Sequence, residues 1–173
     1  IAIVGLSARY PQSADAAALW QHLARGTDLL DGADAARPGA IADMDRFDAA
    51  FFNISGIEAT YMDPQQRLFL EESWKALEDA GYVGDAIAQY RCGVYVGCAN
   101  GDYATLLGAD VPPQAFWGNA GSITPARIAY FLDLQGPALA IDTACSSSLV
   151  AMHVASLALR AGEIDLALAG GVF

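Results

Sequence analysis

A chain of 173 residues with 54% hydrophobic content is long enough to bury one compact core. Its net charge of −11, with Lys75 the only lysine, argues against nucleic acid and anionic membranes as partners, since both need clustered Lys and Arg. No apolar run is expected to span a membrane, because Asp142, Arg160 and Asp165 break the longest stretches, and the abrupt start without Met reads as excision from something longer. The three cysteines form no disulfide framework, so the expected setting is cytoplasmic.

In chain order, Ile1–Gly5 is a continuous apolar run and predicts a buried strand. A helix is expected over Ala14–Arg25, capped by Ser13 or Asp15, with Leu19, Trp20 and Leu23 on one face and Gly26 as its stop. His22 on that helix reads as a partly exposed histidine, with no ligand cluster around it. Leu30–Asp45 is rich in Asp, Ala, Gly and Pro and reads as a loop. The five aspartates from Asp28 to Asp45 lack the spacing of a calcium loop and read as a solvated acidic stretch. Asp63-Pro64-Gln65-Gln66 predicts a helix start: Asp63 as cap, Pro64 in the first turn, and Gln66 reaching back as in a capping box. That helix is expected to end at Ala80-Gly81, with Leu70, Trp74 and Leu77 as its apolar stripe and Glu71–Lys75 as an i,i+4 pair.

The second half of the chain repeats the alternation. Arg91–Ala99 predicts a strand, Asn100–Asp110 a loop or short helix, and Pro112–Gly121 an irregular segment anchored by Phe116 and Trp117. Ser122–Leu134 predicts a helix with Pro125 in its first turn. A short buried strand is expected at Ala138–Ile141, a helix from Ser146 to Arg160 stopped by Gly162, and a last strand at Leu166–Ala169. The helix is apolar all round, which predicts a buried one. Strands alternating with helices imply an α/β fold with a mainly parallel sheet layered between helices.

Asp142-Thr143-Ala144 is a tight, small-residue turn that places Cys145 between strand and helix, at the carboxyl end of the sheet where ligands gather. Helix-start amides lack intrahelical partners and favour a thiolate, and a sharp strand-to-helix turn exposes a nucleophile. Spacing alone leaves this reading level with a buried structural cysteine, the common fate of a free thiol. His153 lies eight residues along the helix from Cys145, roughly 12 Å along its axis, and reads as a packed helix histidine that cannot touch the sulfur.

The wording of the stretch is more specific than its spacing. Asp142-Thr143-Ala144-Cys145-Ser146-Ser147-Ser148-Leu149 resembles the active-site motif of the β-ketoacyl synthases, most closely the ketosynthase domains of modular polyketide synthases. Ile1-Ala2-Ile3-Val4-Gly5, Phe47-Asp48-Ala49-Ala50-Phe51-Phe52, Asp63-Pro64-Gln65-Gln66-Arg67, Gly118-Asn119, Ala126-Arg127-Ile128-Ala129-Tyr130-Phe131 and Ala169-Gly170-Gly171-Val172 match in the same order, so the likeness covers the whole chain. The main departure is Leu30–Asp45, which is shorter than the family's segment there. Phe116-Trp117-Gly118-Asn119 and Pro125-Ala126-Arg127 look most like ketosynthases served by separate acyltransferases.

The resemblance implies a thiolase-like fold of two similar halves, of which residues 1–173 are the amino-terminal half. It implies Cys145 as nucleophile, with its own backbone N–H as one oxyanion donor. It implies no bound cofactor, with the substrate arriving on the phosphopantetheine arm of an acyl carrier protein. Carrier proteins are acidic, so docking needs an Arg patch here or basic surface outside the chain. Two histidines and a lysine would come from the second half of the domain, and a homodimer would form through the Phe116–Ala138 region. A non-catalytic module for dimerisation or carrier docking is the competing expectation. A cysteine hydrolase is disfavoured, because no His and Asn or Asp partners are identifiable.

Overall fold

The computed structural model describes residues 1–30 and 39–173. Among these the elements are α1 (Ala16–Arg25), α2 (Gly56–Tyr61), α3 (Pro64–Ala80), β1 (Cys92–Gly97), α4 (Gln114–Asn119), α5 (Ile123–Phe131), β2 (Ala138–Ile141), α6 (Ser147–Ala161) and β3 (Leu166–Gly171). Short 3-10 turns cover Gly84–Gln89 and Tyr103–Leu106. The helices α2 and α4 are not expected from the sequence, and α4 lies within the segment Pro112–Gly121 whose signals are irregular. Part of the expected acidic loop lies at residues 31–38, outside the described residues.

The sheet is parallel, in the order β2-β1-β3. Every residue of the central strand β1 is buried, and its alternation sorts the core into two layers. Cys92, Val94, Val96 and Cys98 join Leu70 and Leu77 of α3 and Ile128 of α5 in one cluster. Tyr95 joins Ala151, Ala155 and Ala158 of α6 in the other. Helices on both faces of a parallel sheet make the fold α/β and layered, as expected. Phe47, Phe51, Phe52, Trp74 and Phe131 add an aromatic cluster beside the first layer; the Phe51 and Phe52 centroids are 4.9 Å apart, edge to face.

β2 forms where expected but is not buried: as an edge strand it leaves Ala138, Leu139 and Ala140 exposed. Three further expectations need correction. Ile1–Gly5 forms no strand; Ile1 and Ile3 are 73% and 78% exposed. A strand needs a partner, and the following residues tie this segment to α3 instead: Leu6 N–H donates to Asp79, Ser7 to Glu72, and Arg9 to Glu71 and Glu72. Gly5 lies so close to the helix that a Cβ there would come within 2.3 Å of the Ala76 carbonyl oxygen.

Second, α6 is not a buried helix in this chain: only Ser147, Ala151, Ala155 and Ala158 are buried, whereas Leu149 is 70% exposed. The apolar pattern shows what the helix can cover; one sheet covers only one face of it. By composition alone the window Ala144–Ala161 could cross a membrane, contrary to expectation. The 15-residue helix spans only about 22 Å, however, short of a ~30 Å hydrocarbon core, and packs its alanine face on the sheet. Third, α1 buries no residue, so its expected apolar face, Trp20 and Leu23 included, is uncovered here.

The α3 cap also differs in detail. Asp63 caps as expected, its Oδ1 accepting from Gln65 N–H at 2.8 Å. Gln66 does not reach back, because the Asp63 N–H is already bonded to the Gly118 carbonyl. Lys75 pairs with Glu72 rather than Glu71, which is taken by Arg9.

Candidate active site

β2 ends at Ile141 and α6 begins at Ser147, so five residues turn the chain from sheet to helix. Two glycines permit the close approach of that helix. A Cβ on Gly97, the last residue of β1, would come within 2.4 Å of Ser148 N; one on Gly171, the last of β3, would come within 2.6 Å of Ser148 Cβ. The first turn of α6 therefore rests on bare backbone at the carboxyl ends of two strands.

The turn is held by its own polar groups. Ala144 is in the left-handed region, with φ of +57°. Its N–H donates to Asp142 Oδ1 at 3.0 Å, and its carbonyl accepts from Ser147 Oγ at 2.7 Å and Ser147 N–H at 3.0 Å. Ser147 Oγ also accepts from Thr143 N–H at 2.9 Å. Ser146 donates through Oγ to the Thr143 carbonyl. Cys145 sits at the crown of this turn, one residue before the helix cap Ser146, and is exposed.

The other thiols are unlike it. Cys92 is fully enclosed in β1, and burial pushes its pKa up to about 11. Cys98 is raised first by burial and then by the carboxylates of Asp142 and Asp63. His153 is exposed on α6, not packed as expected, and His22 is half-buried on α1. Neither makes a hydrogen bond to Cys145. Among the described residues no cluster of His, Cys, Asp and Glu could hold a metal ion. A groove of about 790 Å3 runs past Asn100, Leu107, Phe116 and Asn119 and includes no residue of the Cys145 turn.

A second polar knot gathers motifs scattered along the sequence. Gln66 Nε2 donates to the carbonyls of Trp117 and Ala120, and Asn119 Nδ2 to those of Tyr61 and Ala115. Arg127 donates to Gln66 Oε1 and pairs with Glu58 at 2.6 Å. Asp63-Pro64-Gln65-Gln66-Arg67, Gly118-Asn119 and Ala126-Arg127 thus form one structural clasp, which fits the reading of the first motif as structural. Sequence reasoning missed Gly97, Gly171 and Ser147; the available signal was a glycine at the ends of β1 and β3.

The sequence profile described as "Beta-ketoacyl synthase, N-terminal domain" matches residues 1–173. The chain belongs to this family. Polyketide synthase PksM of Bacillus subtilis is 46% identical over 189 positions, covering 99% of the chain and 4% of that protein. Polyketide synthase ThaG of Burkholderia thailandensis is 43% identical over 197, again covering 99% and 4%. Among solved structures, the ketosynthase from module 6 of the bacillaene synthase of Bacillus subtilis superposes with a TM-score of 0.88 at 44% identity, covering 99% of the chain and 31% of that structure. The fold is thus the thiolase-like one expected of a polyketide ketosynthase, and the chain spans about a third of the solved ketosynthase. The relatives' alignments are longer than the 173 residues here, so each carries extra residues within the match.

Proposed function

We propose that residues 1–173 are the nucleophile-bearing, amino-terminal half of a polyketide ketosynthase, with Cys145 as the acyl-accepting thiol. The observation that carries this reading is the exposed Cys145 on a strand-to-helix turn at the carboxyl end of the sheet, while Cys92 and Cys98 are buried. The Cys145 thiolate attacks the thioester carbonyl of an acyl group on a phosphopantetheine arm, with the Cys145 N–H as one oxyanion donor. The carbonyl re-forms, the pantetheine thiolate leaves and takes a proton, and the acyl group remains on sulfur. A malonyl thioester then loses carbon dioxide; the resulting enolate carbon bonds to the acyl carbonyl, and the Cys145 thiolate departs. Histidines from a second half, as the family resemblance implies, would activate the malonyl unit.

The partners follow from the same reading. An acyl carrier protein delivers both substrates. Its acidic surface would meet an Arg patch here or basic surface outside the chain; Arg9, Lys75, Arg91 and Arg127 are already engaged in ion pairs within the chain. The second half would cover α6 and the Ile1–Gly5 segment. A homodimer through Phe116–Ala138 fits the exposure of Phe116 and Tyr130, at 69% and 88%. The three free thiols fit a cytoplasmic setting.

The rival is a module that keeps the fold for dimerisation or carrier docking and condenses nothing. Mass spectrometry after incubation with an acyl thioester separates the two. An acyl adduct on Cys145, lost in Cys145→Ala, supports the enzyme; an adduct on Cys92 or Cys98, or none, overturns it. No carbon–carbon bond is expected from residues 1–173 alone, since removal of electrostatic partners costs orders of magnitude in rate.

A further inference from the structure

We propose that Ser147 is a positioning residue whose buried hydroxyl aims the backbone N–H and the sulfur of Cys145. The proposal rests on Cys145 being the acylated thiol. Ser147 is 8% exposed, and its Oγ uses its single proton on the Ala144 carbonyl while accepting from Thr143 N–H. The Ala144 carbonyl and the Cys145 N–H belong to one peptide group, which is rigid and planar. Pinning the carbonyl therefore fixes the direction of the N–H two atoms away. Asp142 holds the other side of Ala144 through its N–H, so both peptide groups flanking the left-handed residue are fastened. An alanine at positive φ is disfavoured and persists only where its surroundings hold it.

The hydrogen bonds of the serine hydroxyl go to the turn backbone and not to Cys145 Sγ, so its effect is on aim rather than on the thiol itself. That distinction is measurable. Acyl transfer needs an oxyanion donor in line; alkylation by iodoacetamide is a displacement at carbon and needs only the sulfur. Ser147→Ala in the full-length protein should slow acylation of Cys145 by an N-acetylcysteamine thioester about tenfold or more, a fraction of the loss when an oxyanion donor is removed outright. Alkylation of Cys145 should change less than about threefold, and Ser147→Thr, which keeps the hydroxyl, should restore acylation to within about threefold.

Protection of Cys92 and Cys98 from alkylation reports that each variant is folded. If Ser147→Ala exposes them, Ser147→Cys fills the same space with a weak acceptor and is judged by the same split. Acylation unchanged in a folded variant, acylation and alkylation falling together, or no rescue by threonine overturns the latch. Failure of the wild-type protein to acylate Cys145 overturns the nucleophile reading and the latch with it; acylation of wild type and Ser147→Ala alike overturns the latch alone.

Discussion

Burial separates the three thiols more sharply than any partner does. Cys92 belongs to the core cluster that holds Val94 and Leu168, Cys98 lies beside the Gly121 carbonyl, and Cys145 is exposed. Iodoacetamide is therefore expected to modify Cys145 first, with Cys92 and Cys98 reacting only as the fold opens, as read by peptide mass mapping over time. Cys92 also makes stability depend on alkaline pH. Its folded pKa is raised from 9.0 to about 11, so between these values the unfolded chain has lost a proton that the folded chain keeps. Stability is fully present below pH 9 and falls as pH climbs toward 11, by about 2–3 kcal/mol for a shift of this size. Denaturant midpoints at pH 8.5 and 10.5 should differ less in Cys92→Ala than in the wild-type chain.

At the scale of elements, the approach of α6 to the sheet depends on what the strands lack. Gly97 sits under backbone atoms of Ser147 and Ser148, which cannot swing aside as a side chain end can. Gly97→Ala should lift the first turn of α6 and cost about 1–3 kcal/mol, the usual range for overpacking. Because that turn carries Ser147, acylation of Cys145 should fall further than stability does. Gly26→Ala makes the control: its φ is +66° but no atom lies near its absent Cβ, so it should cost about 1–2 kcal/mol of left-handed strain and leave acylation alone. Urea unfolding and single-turnover acylation on both variants check the pair.

For the whole molecule, the notable quantity is apolar surface left uncovered. Ile1, Ile3 and Leu6 before α1, Trp20 and Leu23 on it, Leu149 and Leu157 on α6, and Phe116 and Tyr130 are all exposed. The sheet has β2 and β3 as unpaired edges among the described residues. Contiguous apolar patches and open edges favour association. Residues 1–173 alone should therefore sediment as concentration-dependent oligomers; a monomer over a wide concentration range would count against this surface being interface.

The sequence by itself determined most of the layout along the chain and singled out Cys145 as the proposed nucleophile. Local signals are sufficient for both: Gly26, Gly81 and Gly162 end helices at positive φ as expected, Asp63-Pro64 starts one, and the order strand, turn, Cys145, helix follows from a short apolar run and small residues. Tertiary structure decided which apolar faces are covered. Hydrophobic periodicity reports that a face can be buried, not that a partner is within reach, and so Ile1–Gly5 and α6 read as buried where this chain leaves them open. It also decided the polar pairings. Gln66 and Glu71 each had a plausible partner nearby in sequence, but found others across the fold, Gln66 the carbonyls of Trp117 and Ala120 and Glu71 the Arg9 guanidinium. Ser147 closed the turn three and four residues before it, a bond that exists only because Gly97 and Gly171 let α6 start where it does.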